Sequence, residues 1–173
     1  FGPVLGLVRA TDLDEAIAIQ NSSAFGLTGG IHSLDPAEIA SWTERVEVGN
    51  GYVNRAITGA VVQRQPFGGW KRSSVGPGAK AGGPNYVAQL GNWFADADAD
   101  DDYATEWADH FSVAHDPTDL FCEANVFRYR ALTRVLIRVQ EHGDERSLYL
   151  AMKAATIAGA VVIESHASRE SES

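Results

Sequence analysis

Gly51-Tyr52-Val53-Asn54, Thr58-Gly59-Ala60-Val61-Val62, Gln65-Pro66-Phe67-Gly68-Gly69 and Lys80-Ala81-Gly82-Gly83-Pro84 succeed one another in a single run of the chain. The first is a strand candidate. Residues 55–84, immediately after it, are rich in Gly and show no helical or strand periodicity. A loop that long inside a compact domain is usually functional. Thr58-Gly59-Ala60 has small side chains, so its backbone N–H groups are open to a ligand, and successive N–H groups in a tight turn make a nest for an anion such as a carboxylate. Phe67 stands between a stiff Pro66 and two glycines, which lets the backbone turn away and leave the ring facing a cavity. On composition alone the commoner outcome is an ordinary Gly-rich surface loop with one buried Phe.

Upstream, strands and helices alternate. Val4-Leu5-Gly6-Leu7-Val8 is a short apolar run that predicts a buried strand. Thr11-Asp12-Leu13-Asp14 reads as a capping box, opening a helix that carries Leu13, Ala16, Ile17 and Ile19 until Asn21-Ser22-Ser23 ends it. Gly29-Gly30-Ile31-His32-Ser33 predicts the next strand. Asp35-Pro36-Ala37-Glu38 is a helix start, with Asp as cap, Pro at the first position and Glu at the third. Ile39, Trp42 and Val46 come after it at helical spacing and predict a buried face.

Downstream the character changes. Asp96, Asp98, Asp100, Asp101 and Asp102, interleaved with Ala, predict a solvated linker over residues 95–119. Residues 120–173 then begin a second alternating unit. Leu136-Ile137-Arg138-Val139 reads as a strand. Asp144 caps a helix with Leu148, Ala151, Met152, Ala155 and Ala158 on one side, and Gly159 suits a left-handed helix end. Ala160-Val161-Val162-Ile163 is a further strand. Strand, helix, strand at this spacing is a βαβ unit and implies a parallel sheet. The fold class is therefore α/β.

The totals narrow the function. A formal net charge of −9 argues against nucleic acid, where a basic face is expected. A hydrophobic content of 45% is enough for a core in 173 residues. The single Cys122 forms no intrachain disulfide and suits a reducing cytoplasm. No apolar run approaches the roughly 20 residues that span a bilayer. The chain opens on Phe1-Gly2-Pro3-Val4 without an initiator Met and ends on a polar tail, and it reads as an internal piece of a longer polypeptide.

Phe1-Gly2-Pro3-Val4, Gly51-Tyr52-Val53-Asn54 and Pro66-Phe67-Gly68-Gly69 resemble, in type and order, the C-terminal part of the aldehyde dehydrogenase superfamily. Thr58-Gly59-Ala60-Val61-Val62, Gln65-Pro66-Phe67-Gly68-Gly69 and Gly82-Gly83-Pro84 resemble the L-glutamate γ-semialdehyde dehydrogenases within it. The resemblance implies that residues 1–94 are the end of a catalytic domain. It implies NAD-dependent oxidation of L-glutamate γ-semialdehyde to L-glutamate in proline catabolism. In that chemistry a Cys thiolate attacks the aldehyde, hydride passes to nicotinamide, and a Glu-activated water hydrolyses the thioester. The nucleophilic Cys and general-base Glu are expected outside this chain, so no catalytic residue is assigned here.

By the same resemblance Phe1 is a cofactor-binding residue packing near the nicotinamide ribose. Gly59 and Ala60 bind the substrate α-carboxylate through backbone N–H groups, and Phe67 packs on its aliphatic chain. The chain departs from the pattern where Gln63-Arg64 stands in place of a Gly common in relatives, and where Trp70-Lys71-Arg72-Ser73-Ser74 is bulkier than usual. Asp116-Pro117-Thr118-Asp119-Leu120 and Glu123-Ala124-Asn125-Val126-Phe127-Arg128-Tyr129-Arg130 resemble the segment after the dehydrogenase domain in bifunctional proline-oxidising proteins. This implies a fused flavin-dependent domain with FAD elsewhere in the polypeptide, a homo-oligomer, and a non-catalytic Rossmann-like unit from residue 120. Two alternatives stay open: an aldehyde dehydrogenase of other specificity, and a purely structural or oligomerisation module over 95–173.

Other chemistry-bearing residues carry less. Cys122 is flanked by Asp119 and Glu123, an electronegative setting that disfavours a thiolate nucleophile. His110 and His115 are five apart, off any helical ligand face, and His32, His142 and His166 are scattered, so no metal site is expected. Trp42, Trp70, Trp93 and Trp107 share no period and read as packing residues. Gly76-Pro77-Gly78 lies between no strand and helix start, so it is not a dinucleotide fingerprint. Arg128, Arg130, Arg134 and Arg138 read as a solvated or interface face.

Overall fold

A computed structural model describes residues 2–59, 61, 64–76, 78–92, 102–139 and 143–166. The chain divides into two compact units, Phe1–Trp93 and Phe94–Ser173.

In the first unit, α1 spans Leu13–Asn21. Its cap is Asp12, which accepts from the Glu15 N–H at 2.8 Å, while Glu15 Oε2 accepts from both Thr11 N and Thr11 Oγ1 at 2.7 Å. The cap therefore sits one residue later than expected, and Glu15 reaches past it to Thr11 instead of closing the reciprocal bond to the Asp12 N–H. Glu15 is long enough to reach back to Thr11, whereas Asp14 turns to pair with Arg45 of the next helix. Strands β1 (Phe25–Gly26) and β2 (Thr28–Ile31) come next, then α2 (Pro36–Arg45). Asp35 caps α2 by accepting from the Ala37 N–H, with Pro36 at the first turn, as the sequence predicts. β3 (Asn50–Val53) returns parallel to β2, with Thr28 opposite Asn50 and Ile31 opposite Val53. β4 (Trp70–Lys71) lies antiparallel to β1.

The core forms where the helices meet this sheet. Ile17, Trp42 and Val46 are buried, with Leu13, Ile31, Val48 and Val53 packed against them. Ile39, expected on the same face, is half-buried. The Trp42 indole N–H donates to Gln20 Oε1 at 2.9 Å, so burying the ring leaves no donor unsatisfied.

One expectation fails here. Val4–Val8 is not a strand: Val4 is 93% exposed and Leu7 88%. Among the described residues no strand pairs with this run, and an apolar run becomes a strand only when a neighbour takes up its backbone hydrogen bonds.

In the second unit, the part of the acidic stretch that is described begins at Asp102. Asp102 accepts from Thr105 N and Oγ1 and caps a short helix, α3 (Tyr103–Glu106), which widens into a π-helical turn over Trp107–Phe111. His115 and Phe127 pair antiparallel, at 2.8 and 2.7 Å. β5 (Arg134–Val139), α4 (Glu145–Ile157) and β6 (Val161–His166) then build the expected parallel βαβ unit, with Arg134 opposite Val161 and Val139 opposite His166. Asp144 caps α4 by accepting from Ser147 N at 2.9 Å and Oγ at 2.6 Å. Gly159, at φ +82°, turns the chain out of the helix as only Gly does cheaply. Both strands run a few residues beyond the expected apolar cores.

Candidate functional site

The loop after β3 is fastened to the sheet at two places. The first is Gly59. Tyr52, buried on β3, donates its hydroxyl to the Gly59 carbonyl at 2.8 Å. Gly59 has φ +124°, a conformation that L residues rarely adopt, so the turn depends on glycine. The Arg55 guanidinium lies over the Tyr52 ring, 5.6 Å from its centroid. A Cβ at Gly59 would stand 3.6 Å from Gln65 Oε1 and 4.0 Å from an Arg55 guanidinium nitrogen, so both polar side chains border the turn. Val61 and Gln65 exchange backbone hydrogen bonds at 3.2 and 2.6 Å, which closes the loop and brings Gln65 back beside Gly59.

The second is Phe67. The Pro66 carbonyl accepts from Asn50 Nδ2 at 2.9 Å. Phe67 exchanges N–H and C=O bonds with Ala81, both at 3.0 Å. The Gly68 N–H donates to Asn50 Oδ1 at 3.1 Å, and the Gly68 carbonyl accepts from the Lys80 ammonium at 3.0 Å. Thus every backbone polar group from the Pro66 carbonyl to the Gly68 carbonyl is taken, and a half-buried aromatic ring is presented from a fixed backbone. Lys80 also donates to the Gly49 carbonyl, and its Nζ lies 3.4 Å from Asn50 Oδ1. Burial lowers the Lys80 pKa below the ordinary lysine value. The fit around Gly68 is close: a Cβ there would lie 3.0 Å from Lys80 Cγ and 3.1 Å from Lys80 Cα.

The bulky Trp70-Lys71 segment is accommodated as β4. The Lys71 ammonium donates to the Asn21 carbonyl at 2.5 Å and the Ser23 carbonyl at 3.1 Å, and pairs with Glu47 at 2.5 Å.

Of the sequence-predicted site residues, Gly59 and Phe67 are thus placed on one loop anchored to β3, at its Asn50 and Tyr52. Phe1 and Ala60 lie outside the described residues, as does Gln63. Sequence reasoning missed Asn50, Tyr52 and Lys80 as site-builders. The signal for Lys80 was its setting: a lone cation among Ala79, Ala81, Gly82 and Gly83, where small neighbours let a long side chain lie flat on backbone. Cys122 is exposed. His110 and His115 stack with ring centroids 4.6 Å apart, beside Phe111 and Tyr129. Among the described residues no group of three or more His, Cys, Asp or Glu could hold a metal ion, and no helix is long and apolar enough to cross a membrane.

Residues 1–93 match the profile of the aldehyde dehydrogenase family. The chain is 49% identical over 88 residues to a 1-pyrroline-5-carboxylate dehydrogenase of Bacillus cytotoxicus, covering 51% of this chain and 17% of that protein. A protein of the same name from Bacillus thuringiensis is 48% identical over the same length. The chain thus spans about a sixth of the length of these relatives. The solved structure of Proline Utilization A from Corynebacterium freiburgense superposes with a TM-score of 0.79 at 47% identity, covering 99% of this chain and 19% of that one.

Proposed function

This chain belongs to the aldehyde dehydrogenase family, and we propose that within its full-length enzyme residues 1–94 hold the substrate for NAD-dependent oxidation of L-glutamate γ-semialdehyde to L-glutamate, a step of proline catabolism. NAD, when bound, takes up the hydride. The nucleophilic Cys and general-base Glu of that chemistry match no residue here, and the role left to this chain is to bind and orient. Gly59 and Ala60 offer backbone N–H groups to the α-carboxylate, Phe67 walls the methylene chain, and Phe1 packs near the cofactor ribose.

The observation that carries this reading is the pairing of a glycine turn with an aromatic ring on one braced loop. A charged amino-acid head needs an anion site, while a short methylene chain needs an apolar wall. The names of the relatives at 49% and 47% identity support the same substrate. A second role concerns residues 120–173: a non-catalytic Rossmann-like module serving a cytoplasmic homo-oligomer. Its support is the parallel βαβ unit together with Leu136, Val161 and Ile163, which stand 66%, 60% and 44% exposed. FAD belongs to a fused proline dehydrogenase domain elsewhere in the polypeptide.

The test is Gly59→Ala in the full-length enzyme, with NAD reduction measured for the semialdehyde and for butanal. Forcing an L residue into φ +124° costs about 1–3 kcal/mol of local strain, relieved by moving the turn. The KM for the semialdehyde should rise on the order of tenfold while that for butanal changes less than about twofold. Equal effects on both substrates, or none on either, would overturn the anchoring role.

A further inference from the structure

The Gly68 carbonyl, one residue beyond the Phe67 ring, is held by an ammonium. Lys80 lays its stem against Gly68 and reaches the carbonyls of Gly49 and Gly68 together, with Asn50 Oδ1 alongside. Gly49 immediately precedes β3, so the ammonium bridges the sheet to the loop. The other bonds around Phe67 do not duplicate this. Asn50 holds the loop through Pro66 and the Gly68 N–H, and Ala81 holds Phe67 itself. Without Lys80 the Gly68 carbonyl loses its donor, and the peptide after Gly68, one removed from Phe67, loses its tie to the residue before β3.

We propose that Lys80 is a positioning residue for the reaction, its ammonium tying the Gly49 and Gly68 carbonyls together and so setting where the Phe67 ring meets the substrate chain. This rests on the assignment of Phe67 as the apolar wall. Lys80 touches neither substrate nor cofactor and acts only through Phe67. The groups that face its Nζ are the two carbonyls and the Asn50 amide oxygen; among the described residues Lys80 forms no ion pair. Burial lowers its pKa, so its charge is lost at a lower pH than that of an ordinary lysine.

The experiment is a double-mutant cycle in the full-length enzyme: wild type, Lys80→Met, Phe67→Ala and the double variant, each assayed with the semialdehyde and with butanal. Lys80→Met should raise KM for both aldehydes on the order of tenfold, since a charge-assisted hydrogen bond is lost and both substrates carry an aliphatic chain. The KM for NAD should not move. In the Phe67→Ala background Lys80→Met should add less than about twofold, because its effect passes through the ring. Additive effects, or an unchanged KM, would overturn the proposal.

If Lys80→Met fails to fold, the wild type decides. Its KM for butanal should climb as pH rises toward the ordinary lysine value, because burial makes the Lys80 ammonium lose its proton earlier than a free lysine, while Phe67→Ala stays flat over the same range. A flat wild-type profile, or a parallel climb in Phe67→Ala, would overturn the clamp. A wild type that turns over butanal but not the semialdehyde would sink the substrate assignment and leave the clamp still measurable on butanal.

Discussion

Tyr52→Phe removes one oxygen and leaves the ring. Tyr52 is 6% exposed, and its hydroxyl donates at 2.8 Å to the Gly59 carbonyl. The aromatic face that carries the Arg55 guanidinium at 5.6 Å is kept, as is the packing of the buried ring. What is lost is a single neutral hydrogen bond, worth about 0.5–1.5 kcal/mol net. Gly59 is exposed, so water can replace the hydroxyl at its carbonyl and the cost falls toward the lower end of that range. The change is felt at the turn proposed to offer N–H groups to the substrate carboxylate, and it should register as a fall in kcat/KM of about two- to fourfold for the semialdehyde. Butanal has no carboxylate and should be turned over within about twofold of the wild-type rate. The assay is NAD reduction by the full-length enzyme with both aldehydes at saturating cofactor, alongside a thermal melt. A melt shifted strongly downward with both substrates impaired alike would mean that Tyr52 serves the fold and not the turn. No effect on either substrate would mean that the Gly59 turn keeps its shape without the hydroxyl, and the proposed link from β3 to the anion site would fail.

Two further outcomes are expected. Trp42→Ala should destabilise the first unit by about 3–5 kcal/mol, because Trp42 is 3% exposed in the centre of its core; denaturant unfolding of the full-length protein, monitored by circular dichroism, measures this, and a loss below about 1 kcal/mol would contradict the core assignment. The Ser147 hydroxyl, then its backbone N–H, hold the Asp144 carboxyl below the ordinary carboxylate range. A depressed folded pKa means that this cap stabilises α4 fully above the unfolded value and is lost as pH falls through the folded one. The Ser147 amide resonance should therefore titrate with a midpoint below about pH 3.9, and a midpoint at or above it would contradict the cap.

Much of the fold was legible because its signals are local. Asp35-Pro36 and Asp144 announce helix starts through side chains that reach only two or three residues on, and the helices begin there. Gly159 ends α4 for the same local reason, a backbone angle other residues avoid. The cap read at Thr11 was legible in kind but not in register. Asp14 and Glu15 both carry the right charge; Glu15 turns back to Thr11, while Asp14 pairs with Arg45, 31 positions away in sequence. Val4–Val8 shows the limit in the other direction: the apolar pattern of a strand is present, but pairing depends on a partner that no pattern within the run can supply.

The candidate site divides along the same line. The sequence by itself determined that a Gly-rich loop comes after β3, that Gly59 is free to take a conformation closed to other residues, and that Phe67 is stiffened on one side by Pro66. These properties come from covalent geometry and survive in any fold. Only the tertiary structure decided what braces the loop. Tyr52 holds the Gly59 carbonyl, Asn50 spans Pro66 and Gly68, and Lys80 crosses from Gly68 to Gly49. Those contacts join residues 7 to 31 positions apart. They depend on where β3 lies beneath the loop and on the missing Cβ of Gly68, which lets the lysine stem lie across the backbone. Hydrogen bonds of this kind are short-ranged and directional, so composition signals that a polar group is available, and only the folded chain selects its partner.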